Sequence, residues 1–168
     1  MFEIGEHIVY GTNGICRVEE ICRSPYDKED TRNFYLLIPV HNPTSSTIYT
    51  PVDNVRVPMR RLMTCEEIET LILTMPQIEM VQVPVEKQRR EIYRSTIGAL
   101  RPEGYVSVMK TVEHRREVLT AARKHFPVSD MEYGRIAKHM LYSECAHVLG
   151  MAENDVEAYI MQKLASAE

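Results

Sequence analysis

Residues 8–18 read IVYGTNGICRV. Two short apolar runs, Ile8-Val9-Tyr10 and Ile15-Cys16-Arg17-Val18, flank Gly11-Thr12-Asn13-Gly14. An Asn-Gly step between β-formers predicts a tight hairpin, because Asn and Gly tolerate the positive φ that such turns demand. The strand pattern continues to about residue 60. Glu19 to Arg23 prolong the second strand, and a charged loop, SPYDKEDTR (24–32), leads to NFYLLIPV (33–40). Turn-rich HNPTSS (41–46) precedes TIYTPV (47–52), and Asp53-Asn54 is the turn before a short strand Val55-Arg56-Val57. About five short strands with closely spaced turns predict a small barrel rather than an open sheet.

From Thr64 the hydrophobic period becomes helical. Thr64-Cys65-Glu66-Glu67 fits a capping box, opening a helix with Ile68, Leu71 and Ile72 inward until Pro76 stops it. QIEMVQVPVEK (77–87) reads as an irregular lead-in to a helix over 86–100, with Ile92, Thr96 and Leu100 on one side. A longer helix, about 103–125, carries Tyr105, Val108, Val112, Leu119 and Ala122 inward. Ser129-Asp130-Met131-Glu132 reads as a second capping box, starting a helix whose Tyr133, Ala137, Met140, Leu141 and Val148 face inward and which Gly150 ends. A last helix, about 153–165, uses Val156, Tyr159, Ile160 and Leu164. The fold class is therefore α+β: a small N-terminal β-barrel over 1–62, then a compact all-α domain of about five helices over 63–168.

At 44% hydrophobic and 26% charged residues the composition is that of an ordinary globular protein. No apolar run approaches the ~20 residues of a membrane span. The opening MFEIGEHIVYG has no positive segment ahead of an apolar core, so neither a signal peptide nor a membrane partner is expected, and the location follows as cytoplasmic. Cys16, Cys22, Cys65 and Cys145 form no CxxC pair and read as buried free thiols. His139 and His147, with Glu144 between them, lack HExxH spacing, so no metal site is expected. Without a phosphate loop, nucleophile elbow or carboxylate pair, the chain reads as a non-enzyme with no cofactor and no small-molecule substrate.

The net charge of −4 conceals an uneven distribution. Residues 1–84 carry seven basic and twelve acidic side chains, hence −5; residues 85–140 carry twelve and seven, hence +5; residues 141–168 carry one and five, hence −4. A basic island in an acidic protein is an electrostatic footprint for phosphate, and equally the composition of a solvated helix face. On a helix over 86–101, Lys87, Arg90, Arg94 and Arg101 share one side, opposite Ile92, Thr96 and Leu100. Arg115-Arg116 and Arg123-Lys124 extend the same positive segment.

The order of these parts resembles the CarD/CdnL family of bacterial transcription regulators, and the N-terminal part is similar to the polymerase-interacting domain of the transcription-repair coupling factor. The likeness is carried by FEIGEHIVYGTNGICRVEEI, FYLLIPV and TIYTPVDNV, then by KQRREIYR, ALRPEG and LYSECAHVLGMAENDVEAYI. It implies a Tudor-like barrel that binds the β subunit of RNA polymerase. It also implies a helical domain that contacts promoter DNA near the upstream edge of the bubble and stabilises the open complex. Polymerase contacts then map to Arg23, Ser24, Ile48 and Tyr49, with Tyr49 where relatives often have arginine. DNA contacts map to Lys87, Arg89, Arg90, Arg94, Arg101, Arg115 and Arg116. Relatives carry a bubble-wedging tryptophan at the start of the first basic helix; this chain has no tryptophan, and Arg89 stands in its place. Two other readings remain: a Tudor-like protein-interaction module with a structural helical domain, and a helical DNA-binding repressor acting alone.

Overall fold

His7, Ile8 and Val9 pair with the chain beyond Gly14: β1 (His7–Tyr10) and β2 (Ile15–Arg23) are antiparallel, with Val9 opposite Ile15. The turn is longer than the Asn-Gly step. Gly11–Asn13 form one 3-10 turn, and the positive φ values fall on Gly11 (49°) and Gly14 (73°), not on Asn13. Gly11 is also required by space, since a Cβ there would stand 2.7 Å from Val57 Cγ1.

The computed structural model describes residues 1–41 and 46–167, which divide into two units, Met1–Leu62 and Met63–Glu168. The first unit adds β3 (Asn33–Pro39), β4 (Ile48–Pro51) and β5 (Met59–Arg61) to the hairpin. Every pairing is antiparallel, in the order β4-β3-β2-β1-β5. Between Val18 and Glu20 the register slips by one residue, a bulge that places Glu19 outside the ladder. The turn expected at 41–46 falls mainly on residues 42–45, outside the described residues.

Two strand expectations are corrected. The sheet is open, with β4 and β5 as its edges, so the expected barrel is only loosely one. The last strand is Met59–Arg61 rather than 55–57. Asn54 Oδ1 accepts from the Arg56 amide (2.8 Å) and Asn54 Nδ2 donates to the Val57 carbonyl (2.9 Å), winding that stretch into a turn. The core of this unit is Ile8, Tyr10, Cys16, Val18, Tyr35 and Leu37, with Phe2, Ile21, Ile48 and Val52 packed against it.

In the second unit α1 (Cys65–Thr74) opens with the expected capping box. Thr64 Oγ1 accepts from the Glu67 amide (3.2 Å), and the Thr64 amide donates to Glu67 Oε2 (2.8 Å). Ile68, Leu71 and Ile72 are buried, and a 3-10 turn at Met75–Gln77 ends the helix at Pro76. Residues 78–85 then run irregularly along α3 (Pro102–Ala121), pinned by three side chains from one face of that helix. Ser107 Oγ donates to the Glu79 carbonyl (2.7 Å), Thr111 Oγ1 accepts from the Val81 amide (2.8 Å), and Lys110 Nζ donates to the carbonyls of Met75 (3.2 Å), Pro76 (3.2 Å) and Ile78 (2.5 Å).

After a 3-10 turn at Glu86–Gln88, α2 (Arg89–Gly98) buries Arg89, Tyr93 and Ile97 rather than Ile92 and Thr96. Its inward face is turned by one residue, about 100°, from the expected one. It ends at Leu100, which is fully buried and left-handed (φ 57°). Pro102 then opens α3, which packs against α4 (Val128–Leu149) as an antiparallel hairpin, Val112 beside Gly134 and Arg115 beside Asp130. The second capping box does not form: α4 starts at Val128, two residues before the start a Ser129 cap would give, and Asp130 is drawn inward by Arg115. Residues 140–146 of α4 are buried without interruption, as befits a helix covered on every side. Gly150 closes it in the left-handed region, and α5 (Val156–Ala165) follows, with Lys163 donating to Glu69 of α1 (2.9 Å). Among the described residues no helix is long and apolar enough to cross a membrane.

Candidate polymerase-docking and nucleic-acid surfaces

Of the four candidate docking residues of the sheet unit, Ile48 and Tyr49 lie on the β4 edge strand, and Arg23 and Ser24 lie where β2 gives way to the charged loop. Arg23 ends β2 opposite Asn33, and its guanidinium donates to the Thr31 carbonyl across the charged loop. Ser24 Oγ accepts from the amides of Tyr26 (3.3 Å) and Asp27 (3.1 Å), a side-chain turn that bends the loop back. Ile48 is half-buried against the sheet core, opposite Leu37, and Tyr49 lies opposite Leu36. Ser24 and Tyr49 meet through a residue the sequence did not single out. Tyr26, 79% exposed, packs edge-on against Tyr49 with ring centroids 5.8 Å apart and planes at 81°. No periodic signal marks a tyrosine inside a charged loop. The edge strand thus carries Tyr49, with Tyr26 of the charged loop packed on it, beside main-chain groups that no further strand among the described residues pairs.

The candidate DNA residues separate into two groups. Lys87, on the 3-10 turn, and Arg90 and Arg94, on α2, are exposed. Arg101 is exposed too, but the left-handed Leu100 breaks the helix before it, so it caps α3 instead of continuing the stripe. Among the described residues Lys87, Arg90 and Arg101 make no ion pair, whereas Arg94 meets Glu91 at 3.2 Å. Arg116 reaches Glu113 at 3.3 Å and lies over the Phe126 ring, 5.2 Å from its centroid.

Arg89 and Arg115 form the second group. Both terminal guanidinium nitrogens of Arg89, Nη1 and Nη2, donate to the two Glu86 oxygens, and Arg89 Nη1 lies 4.0 Å from Asp130 Oδ2. Arg115 donates from Nη2 to Glu86 Oε1 (2.7 Å) and from Nε to Asp130 Oδ2 (2.5 Å). Two cations and two carboxylates neutralise one another, which is why an arginine can occupy the inner face of α2. The Arg89 hydrogen bonds, with Arg115 adding its charge, hold the Glu86 carboxyl below the usual carboxylate range. Tyr93 lies fully buried within the field of all four groups; burial raises its phenol, whose hydroxyl finds no hydrogen-bond partner among the described residues.

Elsewhere the described residues offer little reactive chemistry. All four cysteines are free. Burial pushes the Cys16 thiol up to about 11 and Cys145 up to about 12, while Cys65 is exposed, contrary to the expectation that all four are buried. No group of three His, Cys, Asp or Glu side chains among the described residues is placed to hold a metal ion.

No curated protein matches the chain at a significant level. Residues 2–63 match the family model of the CarD-like/TRCF RID domain, a stretch that coincides with the five-stranded unit and its β4 edge. The N-terminal unit is accordingly a CarD-like/TRCF RID domain, and the chain is a transcription-related protein built on an RNA polymerase-interacting domain.

Proposed function

We propose that this protein is a transcription regulator that docks on the β subunit of RNA polymerase through its N-terminal unit and touches promoter DNA through its helical unit, adjusting the stability of the open complex. One observation carries the reading: the polymerase-interacting domain is joined in a single chain to a helical unit that displays Lys87, Arg90, Arg94 and Arg101 in its basic segment. An open sheet edge accepts a partner strand through main-chain hydrogen bonds. Tyr26 and Tyr49 stand beside that edge as aromatic anchors. Exposed cations along α2 displace condensed counterions from phosphates, so affinity follows salt. The reading places the protein in the cytoplasm with the polymerase and asks for no catalytic residue, cofactor or small-molecule substrate. Arg89 and Arg115, tied to carboxylates, set the pose of the helix instead of reaching the duplex in this state.

The test uses the full-length chain, purified polymerase and promoter DNA. Replacing Lys87, Arg90 and Arg94 together by Glu should abolish DNA retention and leave polymerase capture intact. The wild-type log–log salt slope should be roughly −3 to −4 for three or four phosphate contacts. The interaction-module reading also has support, since Arg94 and Arg116 are paired to glutamates on their own helices. It prevails if DNA is not bound even with polymerase present.

A further inference from the structure

Glu86 is held by two arginines and yet remains 64% exposed, whereas Asp130, on the far side of the same arginines, is 2% exposed. Asp130 is locked in by burial. Glu86 is not: it sits on a single 3-10 turn at the solvent end of the network, and its side chain can swing away without opening the bundle. If it leaves, Arg89 and Arg115 keep only Asp130 between them, and a site of net charge +1 opens, with the guanidinium nitrogens that held Glu86 free to donate. That is the donor geometry that binds phosphate bidentately, and in this structure the Glu86 carboxylate takes the place of the anion. Lys87 follows Glu86 and Arg116 follows Arg115 in the chain, so exposed cations flank the gate in sequence.

We propose that Arg89 and Arg115 are a second phosphate-binding site of the helical unit, closed by Glu86 in the free protein and opened when a DNA phosphate displaces that carboxylate. The proposal rests on the promoter-contact reading and adds the residue that regulates it. Glu86 is an internal competitor, and its removal makes binding tighter.

The experiment titrates a short duplex of mixed sequence with full-length wild type, E86Q, E91Q, and E86Q combined with Arg115→Gln, over a salt series. E91Q is the control, because it removes an equal charge from an exposed glutamate of α2 that faces Arg94 alone. E86Q should tighten binding about threefold or more beyond E91Q, on a log–log slope parallel to wild type, because both forms make the same phosphate contacts once bound. Adding Arg115→Gln should remove that gain and flatten the slope by about 0.9. A second measurement needs no variant: in carboxyl-detected NMR of wild type, the Glu86 side-chain resonance should move toward that of a solvated carboxylate as DNA is added. Equal affinities for E86Q and E91Q, or a Glu86 resonance unmoved at saturating DNA, overturn the gate while leaving the promoter contact standing. No DNA binding by any form, with polymerase present, overturns the promoter contact itself and the gate with it.

Discussion

Lys110 Nζ donates to the carbonyl oxygen of Ile78 at 2.5 Å, and the same ammonium reaches the carbonyls of Met75 and Pro76. One cation thus gathers the end of α1 and the start of the irregular strap that runs to the basic segment. Lys110→Met keeps the aliphatic stem and strands three carbonyls, so it should cost about 1–3 kcal/mol. Thermal unfolding reads the loss, and limited proteolysis should cut within 78–85 before the helices melt. A variant as stable and as resistant as wild type removes Lys110 from this role.

Gly134 of α4 faces Val112 of α3. A Cβ at 134 would lie 2.7 Å from Val112 Cγ1, inside any tolerable contact. Gly134→Ala should destabilise the bundle by about 1–3 kcal/mol through overpacking. Combining it with Val112→Ala should recover part of that loss, a non-additivity that a denaturant double-mutant cycle measures.

Arg89 is an internal structural cation. Arg89→Ala leaves Asp130 with Arg115 alone and takes the bidentate partner from Glu86, so it should lower stability by about 1–3 kcal/mol. Arg89→Trp should also lower the melting temperature, because the indole must replace a charge beside a buried carboxylate. A tryptophan variant that is fully stable and lengthens open-complex lifetime would show that the side chain at 89 turns outward.

Acid should weaken the helical unit in a defined window. Glu86 titrates below its usual 4.5 in the folded chain because Arg89 hydrogen-bonds its ionised form. Its contribution is therefore complete above that ordinary value and disappears as pH falls through the lowered one. Glu69, hydrogen-bonded by Lys163, behaves alike. Melting temperature followed into acid should fall less steeply for E86Q than for wild type.

At the sheet edge, Tyr26→Ala and Tyr49→Ala should each weaken polymerase capture by about 1–2 kcal/mol, the range of a buried aromatic anchor. Because the rings touch, the double variant should lose less than the sum. Surface plasmon resonance with purified polymerase gives all four values. Unchanged affinity for both single variants would move the docking surface off this edge.

Features governed by neighbours in sequence were legible: the hairpin at 8–18, the Thr64 capping box, and the left-handed Gly150. Those decided by distant partners were not. Sheet closure depends on whether β4 and β5 meet, which no local pattern encodes. The inward face of α2 was misread because Ile92 looked more apolar than Arg89, and the carboxylate that makes Arg89 tolerable inside, Asp130, lies two helices away. Asp130 itself resembled part of a helix cap for want of that same partner. The basic residues were legible as a set, but which of them face solvent was fixed only by the ion pairs. Tyr26 was invisible until the Ser24 turn laid it on Tyr49.

Leu100 ends α2 with a left-handed backbone that glycine would adopt at no steric cost, and its side chain is wholly buried. The strain of that conformation, on the order of 1 kcal/mol, is offset only once the surrounding helices enclose the leucine. Ten residues are also too few for α2 to persist as an isolated helix in water. The corner between α2 and α3 therefore belongs to the late, cooperative part of folding. On heating or in denaturant the basic helix and the bundle should disappear in one transition, so amides of 89–98 should exchange with solvent only as fast as the whole helical unit opens.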